Sequence, residues 1–334
     1  MSRRSASGIP LILSVILVTL GSGCDQPQRE SALTALDLRA DLRMNQLQTK
    51  GTHNSYHIQP RPKTIPHWSY THLPLDRQLD EQGVRQIELD INYNAETGGF
   101  DVFHVRLVDS KTTCKTLQAC LKTAKGWSDV HPRHVPIMVM IEPKAELTAL
   151  EGVDGFALLE SSILEILPRG QIVTPDEVRG DAPTLLDAVR TRGWPRLDEV
   201  RGRFVFMLLA SNAERQAYTD GEQDPTGRLL FVDGDVGKPY AVLITIDDPR
   251  KRDEIHAAVR LGLIVRTRAD TDSEEALNND FSRLEAALTS GAHYISTDYP
   301  AKVPTSDYVV EIPDGPVRCN PISAHYLCRS SWFD

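Results

Sequence analysis

From Leu47 onward the chain alternates short apolar runs with longer amphipathic stretches, and nothing else in the sequence restricts the fold as strongly. A run of five or six apolar residues has the length of a strand. A stretch with apolar positions three and four apart has the pattern of a helix. The candidate strands lie at 47–53, 85–92, 101–105, 136–142, 203–210, 229–232, 241–246, 263–268 and 294–297. The helical stretches lie at 75–82, 117–125, 156–167, 184–191, 252–261 and 278–290, and Gly83, Gly262 and Gly291 stand where left-handed C-caps belong. Strands alternating with helices predict a parallel sheet covered on its faces. Residues 136–141 are apolar almost throughout, as a strand buried on both sides should be. About eight such units over roughly 260 residues predict an α/β fold, a (β/α)8 TIM barrel, regular or irregular in form. Nine strand candidates are one too many for that barrel, so either 229–232 or 241–246 is an excursion. A doubly wound open sheet is the alternative, and it lacks the glycine-rich phosphate loop expected after its first strand.

The two ends of the chain follow other rules. Arg3 and Arg4, the apolar run 9–20 and the small residues Gly21, Ser22 and Gly23 have the layout of a secretory signal over residues 1–23. Cys24 comes directly after them, as at a bacterial lipoprotein cleavage site, although Gly21 replaces the large apolar residue usual three positions earlier. An exported, lipid-anchored envelope protein is expected, with ordinary cleavage and free secretion as the alternative. Residues 24–45 read as a tether that turns helical near 32–43, residues 46–304 as the barrel, and residues 305–334 as a tail. Beyond Cys24 there are cysteines at 114, 120, 319 and 328; export permits disulfides, and Cys114–Cys120 with Cys319–Cys328 is the simplest pairing. The second pair would staple the tail to the barrel. Without residues 1–23 the chain keeps 35 basic against 46 acidic residues, a balance of −11. Such a surface does not suit nucleic acid. One barrel uses up nearly the whole mature chain, and a monomer is expected.

The chemistry lies in the polar residues on the strands. In Ile87-Glu88-Leu89-Asp90-Ile91 the side chains alternate, so the three apolar residues face helices while Glu88 and Asp90 face the barrel interior. Two carboxylates so close in a poorly hydrated interior need a cation, shared protons or many donors. Glu142 ends another apolar strand and brings a third. His53 and Asn54 end the first strand, and His104 ends the third. Four consecutive strands would thus bring these groups to the carboxyl end of the barrel, where active sites are built. Oxygen donors of this kind suit a hard cation, calcium or magnesium, with Asn54 supplying a neutral carbonyl. Three carboxylates exceed the charge of a divalent ion by one. Lys144, with Arg266 and Arg268 on the seventh strand, can supply the positive charge that an anionic substrate then needs. His57, near the same rim, could be structural or functional.

Lys50-Gly51-Thr52-His53-Asn54-Ser55-Tyr56 resembles the opening motif of phosphatidylinositol-specific phospholipase C. Glu88-Leu89-Asp90, Phe103-His104 and Ile141-Glu142-Pro143-Lys144 follow in that family's order, and Val265–Asp270 with Ile295–Pro300 is similar to the end of its bacterial calcium-dependent branch. The resemblance covers about residues 46–302. It implies His53 as general base on the inositol 2-hydroxyl and His104 as general acid on the departing diacylglycerol oxygen, with a cyclic 1,2-phosphate as product. It implies calcium, rather than magnesium, on Asn54, Glu88, Asp90 and Glu142. Lys144, Arg268 and Asp298 become candidates for substrate binding, with Arg106 and Tyr299 as further head-group candidates. The expected partner is a phospholipid at a membrane surface, reached through the anchor or an apolar rim loop at 60–75 that could instead simply cover the barrel. Glycerophosphodiester phosphodiesterases have a related barrel but typically carry His-Arg where this chain has His53-Asn54. Action on such diesters or on another head group is the second reading. A non-catalytic lipoprotein that binds a sugar phosphate is the third.

Overall fold

Alternation along two neighbouring strands sets the whole architecture. Ile87, Leu89 and Ile91 pack with Ile137, Val139 and Ile141 in the core under the helices, each of them fully buried. Removing such a side chain from water is worth about 1.5–3 kcal/mol, so a slip of one residue in either strand is strongly disfavoured. In the computed structural model, which describes residues 35–61, 65–221 and 223–333, these strands belong to a sheet of β1 (Leu47–Thr52), β2 (Val84–Asn94), β3 (Gly99–Val102), β4 (Ile137–Pro143), β5 (Ile172–Val173), β6 (Phe204–Leu208), β7 (Phe231–Val232), β8 (Leu243–Thr245), β9 (Ile264–Arg268), β10 (Tyr294–Thr297) and β11 (Val317–Cys319). The segment read as a signal, Cys24 and the first part of the tether lie outside the described residues.

Parallel ladders join β8, β9, β10, β1, β2, β4 and β6 in that order. The far edge of β6 is divided, with β5 beside Phe204 and Val205 and β7 beside Met207 and Leu208. Among the described residues no ladder joins β7 to β8; the Asp233 carboxylate bridges that seam by accepting from the Thr245 amide at 3.0 Å and its hydroxyl at 2.7 Å. The result is an irregular α/β barrel. Met138, Met140, Val205, Met207, Phe231, Leu243, Ile264 and Tyr294 form its second buried cluster, the interior packing.

Both 229–232 and 241–246 supply barrel strands, contrary to the expectation that one of them was an excursion. The surplus candidate is 101–105: β3 runs antiparallel to β2, from Ile91 opposite Val102 to Asn94 opposite Gly99. Strand β2 outruns β4, whose last partner position is Pro143 opposite Ile91, and the overhang folds back on itself through a turn with Gly98 at φ +67°. The helix read at 278–290 is two, Glu274–Asn278 and Ser282–Thr289, parted at Asn279 in the left-handed region. Short helices at Pro175–Arg179, Leu197–Val200 and Asn212–Tyr218 were not legible.

The tail closes the amino end of the barrel. β11 pairs antiparallel with Leu47–Thr49 on the edge that β2 joins only from Lys50 onward. Leu42, Leu47, Val135, Leu197, Val317, Trp332 and Phe333 form a buried cluster there, so residues 42–45, read as tether, already belong to the packed body. Both expected disulfides are formed, Cys114–Cys120 and Cys319–Cys328, as oxidising conditions outside the cytosol allow. No described helix is long and apolar enough to cross a membrane.

The approach of β1 to β2 requires a glycine. A Cβ on Gly51 would lie 1.9 Å from Gln86 Oε1 and 2.8 Å from Gln86 Cβ, and Gln86 is fully buried. Gly51→Ala is therefore expected to destabilise the protein by about 1–3 kcal/mol, read as a lower denaturant midpoint at unchanged slope. An unchanged midpoint would show that β1 and β2 can part without cost.

Candidate active site

The carboxyl end of β1 is held rigidly before it reaches any catalytic group. Thr52 Oγ1 donates to Gln78 Oε1 at 2.8 Å, and Gln78 Nε2 donates to the carbonyls of Ser55 and Leu73 at 2.6 Å. Ser55 Oγ accepts the Glu88 amide, which ties the turn to β2. Asn54 adopts φ +43°, a conformation that asparagine tolerates better than most residues. Its side-chain Oδ1 accepts from Tyr56 Oη at 3.3 Å. This turn presents His53, whose Nδ1 lies 2.8 Å from Asp298 Oδ1, just beyond β10. Asp298 is buried; with its carboxylate ionised it accepts the Nδ1 proton, and Nε2, 3.7 Å from Glu88 Oε1, is then unprotonated. Burial first, and the nearby Arg268 charge next, hold the His53 pKa well below its ordinary value. The ring is neutral at neutral pH. Arg268 stays charged despite its burial because Asp298, Asp270 and Glu88 surround it.

On the inner face of the next two strands, the register sets Glu88 opposite Met140 and Asp90 opposite Glu142. Ligand oxygens of Glu88, Asp90 and Glu142 all lie within 4.8 Å of one another. Two cations meet them: Arg266 from β9 donates to Glu88 at 2.8 Å, and Lys144 Nζ lies 2.7 Å from Asp90 and 2.5 Å from Glu142. Arg266 also pairs with Asp247. Asp90 is fully buried, and neither of its oxygens has a hydrogen bond of good geometry. Three converging carboxylates, an under-bonded buried one among them, and a lysine ammonium drawn into their midst make a donor set that fits a divalent hard cation.

The second histidine arrives differently from the expectation. His104 follows the antiparallel β3, not a barrel strand, and stands at the base of a tight hairpin closed by Val105 and Asp109. Its Nδ1 lies 2.8 Å from Asp109 Oδ2, and the edge of Trp68 meets its ring at 5.4 Å.

The sequence-derived candidates thus divide. His53, Asn54, Glu88, Asp90 and Glu142 share one mouth, and Lys144 and Arg268 are there too, each already paired with carboxylates. Asp298, read as a substrate contact, directs its carboxylate at His53 and Arg268. Arg268 pairs with Asp298, whereas Asp270 bonds the Asp298 amide and Thr297. Arg106 lies over the Phe103 ring, and Tyr299 is buried among Tyr70 and Tyr308. Over residues 65–75 of the stretch read as an apolar rim loop, Tyr70 and His72 are buried, and His72 bonds the His53 carbonyl. Asp109 was missed, since its part in the site depends on a loop conformation that no motif announces.

A family model described as phosphoinositide phospholipase C, Ca2+-dependent, matches residues 42–101 and 91–321. Among solved structures, the chain is similar to a calcium-dependent phosphoinositol-specific phospholipase C from a Gram-negative Pseudomonas species in its myoinositol complex. The TM-score is 0.61 at 16% identity, over 84% of this chain and 96% of that one. It is also similar to a Ca2+-dependent phosphatidylinositol-specific phospholipase C from Streptomyces antibioticus, with a TM-score of 0.58 at 18% identity, over 78% and 95% of the two chains. At these identities the structural likeness shows the fold. No curated protein matches the sequence.

The acidic cluster sets a pH dependence. Burial, then the Glu142 charge, pushes the Asp90 pKa up to about 7 against the pull of Lys144. Burial and then Asp298 push Asp270 up to about 7 as well. A carboxyl whose folded pKa is raised contributes stability that is full below its unfolded pKa, about 3.9, and is lost as pH rises through the folded value. Only the unfolded chain ionises between those two values, so with chelator present the melting temperature should fall between about pH 4 and pH 7 and level off above. Asp90→Asn should raise it at pH 8, on the order of 5 °C. A flat profile in both proteins would mean that Asp90 ionises without penalty.

Proposed function

We propose, for a chain that belongs to the Ca2+-dependent phosphoinositide phospholipase C family and is thus a phosphoric diester hydrolase, that the barrel mouth cleaves phosphatidylinositol-type lipids to diacylglycerol and an inositol phosphate by acid–base catalysis at His53 and His104. One observation carries the reading: each histidine places Nδ1 on a buried aspartate, Asp298 for His53 and Asp109 for His104, and His53 stands beside a three-carboxylate cation site. Neutral His53 takes the proton of the inositol 2-hydroxyl through Nε2. The hydroxyl oxygen forms a bond to phosphorus as the bond to the diacylglycerol oxygen breaks, and His104 gives that oxygen a proton. The product is the cyclic 1,2-phosphate, which water opens with the two roles reversed. Asn54, Glu88, Asp90 and Glu142 would hold Ca2+, which offsets charge on the phosphoryl oxygens and lowers the hydroxyl pKa. Lys144 and Arg268 are the cationic groups for the phosphate.

The lipid surface is met at the hairpin after His104. Val105 and Val108 are exposed, and Leu107, at its tip, is 92% exposed with φ +73°. A leucine in that conformation and that much in water opposes two preferences at once; burial of the tip among acyl chains relieves the second. Lys111 and Lys115 follow close behind it for anionic head groups. Export and a lipid anchor at Cys24 would hold the monomeric enzyme at such a surface, and the two disulfides accord with export.

The mature chain should release inositol cyclic phosphate from phosphatidylinositol with calcium and lose this activity in chelator, and His53→Ala should lower turnover by about 10²–10⁴. Activity that persists in chelator would remove the metal from the reading. Activity on glycerophosphodiesters alone would replace the substrate. Leu107→Ser should weaken sedimentation with anionic vesicles while leaving turnover of a soluble inositol phosphodiester unchanged; equal vesicle binding would take the hairpin out of the interface.

A further inference from the structure

Asp109 is fully buried and serves two imidazoles at once. Its Oδ2 lies 2.8 Å from His104 Nδ1, and both of its oxygens lie 3.0 Å from His57 Nε2. His57 is also fully buried; its Nδ1 lies 3.1 Å from the Tyr70 carbonyl, and its ring packs on Tyr70 at 4.3 Å. A carbonyl and an ionised carboxylate can only accept. The His57 ring therefore donates from both nitrogens and carries the positive charge that balances Asp109. Burial opposes the charge of Asp109, but hydrogen bonds from His104 and His57 outweigh it and hold its pKa below the ordinary value. Backbone bonds between Val105 and Asp109, 3.0 and 2.9 Å, fold the hairpin so that Asp109 returns to His104.

The same arrangement recurs across the mouth. His53 has Asp298 on Nδ1, and Asp298 has Arg268 as its cation. His104 has Asp109 on Nδ1, and Asp109 has His57. The general acid must hold its transferable proton on Nε2 while Nδ1–H stays fixed, and the imidazolium that carries both must be stabilised until the leaving oxygen departs.

We infer that Asp109 is the positioning residue of His104 and that His57 is the buried counter-ion of Asp109, the two together keeping Nδ1 of His104 on the carboxylate and Nε2 free to protonate the leaving oxygen. The inference rests on the proposed reading of His104 as general acid. In that step the phosphorus–oxygen bond breaks with its electron pair on the diacylglycerol oxygen, the Nε2 proton passes to that oxygen, and Asp109 keeps its charge throughout.

Leaving-group chemistry separates this role from a structural one. An alkoxide needs a proton to depart, whereas a nitrophenolate does not. Asp109→Asn keeps the shape and removes the charge. On phosphatidylinositol it should lower kcat by about 10²–10⁴ with little change in KM. On an inositol phosphodiester of nitrophenol the loss should stay within about tenfold. His57→Gln, which keeps a donor toward Asp109 without the charge, should show the same selectivity in weaker form and serves as the test should Asp109→Asn not fold. Equal losses on both substrates, or none on the lipid, would overturn the inference. His104→Ala run beside them keeps the premise separate: if that variant loses activity equally on both substrates, His104 is not the acid and the proposed mechanism itself is wrong.

Discussion

Burying Glu88 and Asp90 on one face of one strand is the constraint that organises this barrel. A carboxylate removed from water without a partner costs several kcal/mol, and two of them on one face of a strand, one residue between them, would also repel. The fold answers from two directions. Arg266 reaches Glu88 from β9, and Lys144 reaches Asp90 and Glu142 from the end of β4. Arg266 can do so only because the sheet curls, so that β9 and β2, with β10 and β1 between them, face one another across the interior. The curvature and the charge balance of the site are therefore one arrangement. The inner face changes character along the strands, from Met138 and Met140 in the packed cluster to Glu142 at the rim, and the mouth of the barrel is polar for that reason.

Around that cluster the two histidines are served alike by unlike parts of the chain. His53 takes its aspartate from the end of a barrel strand and a guanidinium as companion. His104 takes its aspartate from a five-residue hairpin and an imidazole as companion. The difference in origin matters for stability. Asp298 sits in the body of the sheet, next to β10, while Asp109 depends on the closure of a loop whose tip is exposed. Loss of the Val105–Asp109 backbone pair at the hairpin base can thus reach His104 without touching His53.

Much of this was legible in the sequence because period-two alternation carries both core and site. Ile87, Leu89 and Ile91 identify the buried face, and the residues between them must face the interior. That argument needs no knowledge of neighbours. It fails where pairing direction matters: an apolar run reads the same in a parallel or an antiparallel strand, so 101–105 was counted into the barrel in place of 229–232 or 241–246. It fails again where a role is set by the partner. The motif around Asp298 marks it as near the site, but only the fold shows its oxygens directed at His53 and Arg268. Lys144 was read as positive charge for a substrate, and only the fold shows that it also meets Asp90 of β2 and Glu142 of β4. Asp109 and His57 acquire meaning only when a loop brings them together.

The partners of β1 lie far away along the chain. His53 and Asp298 are separated by 245 residues, and the edges of β1 are completed by β10 and β11. Closing so long a loop costs entropy before any contact repays it, and contacts of this range slow folding. The first strand to be synthesised is thus among the last to find its neighbours. A chain that has assembled β2 and β4 has its acidic cluster but no oriented base, and hydrolytic competence becomes a late event in folding, gained only when the barrel closes.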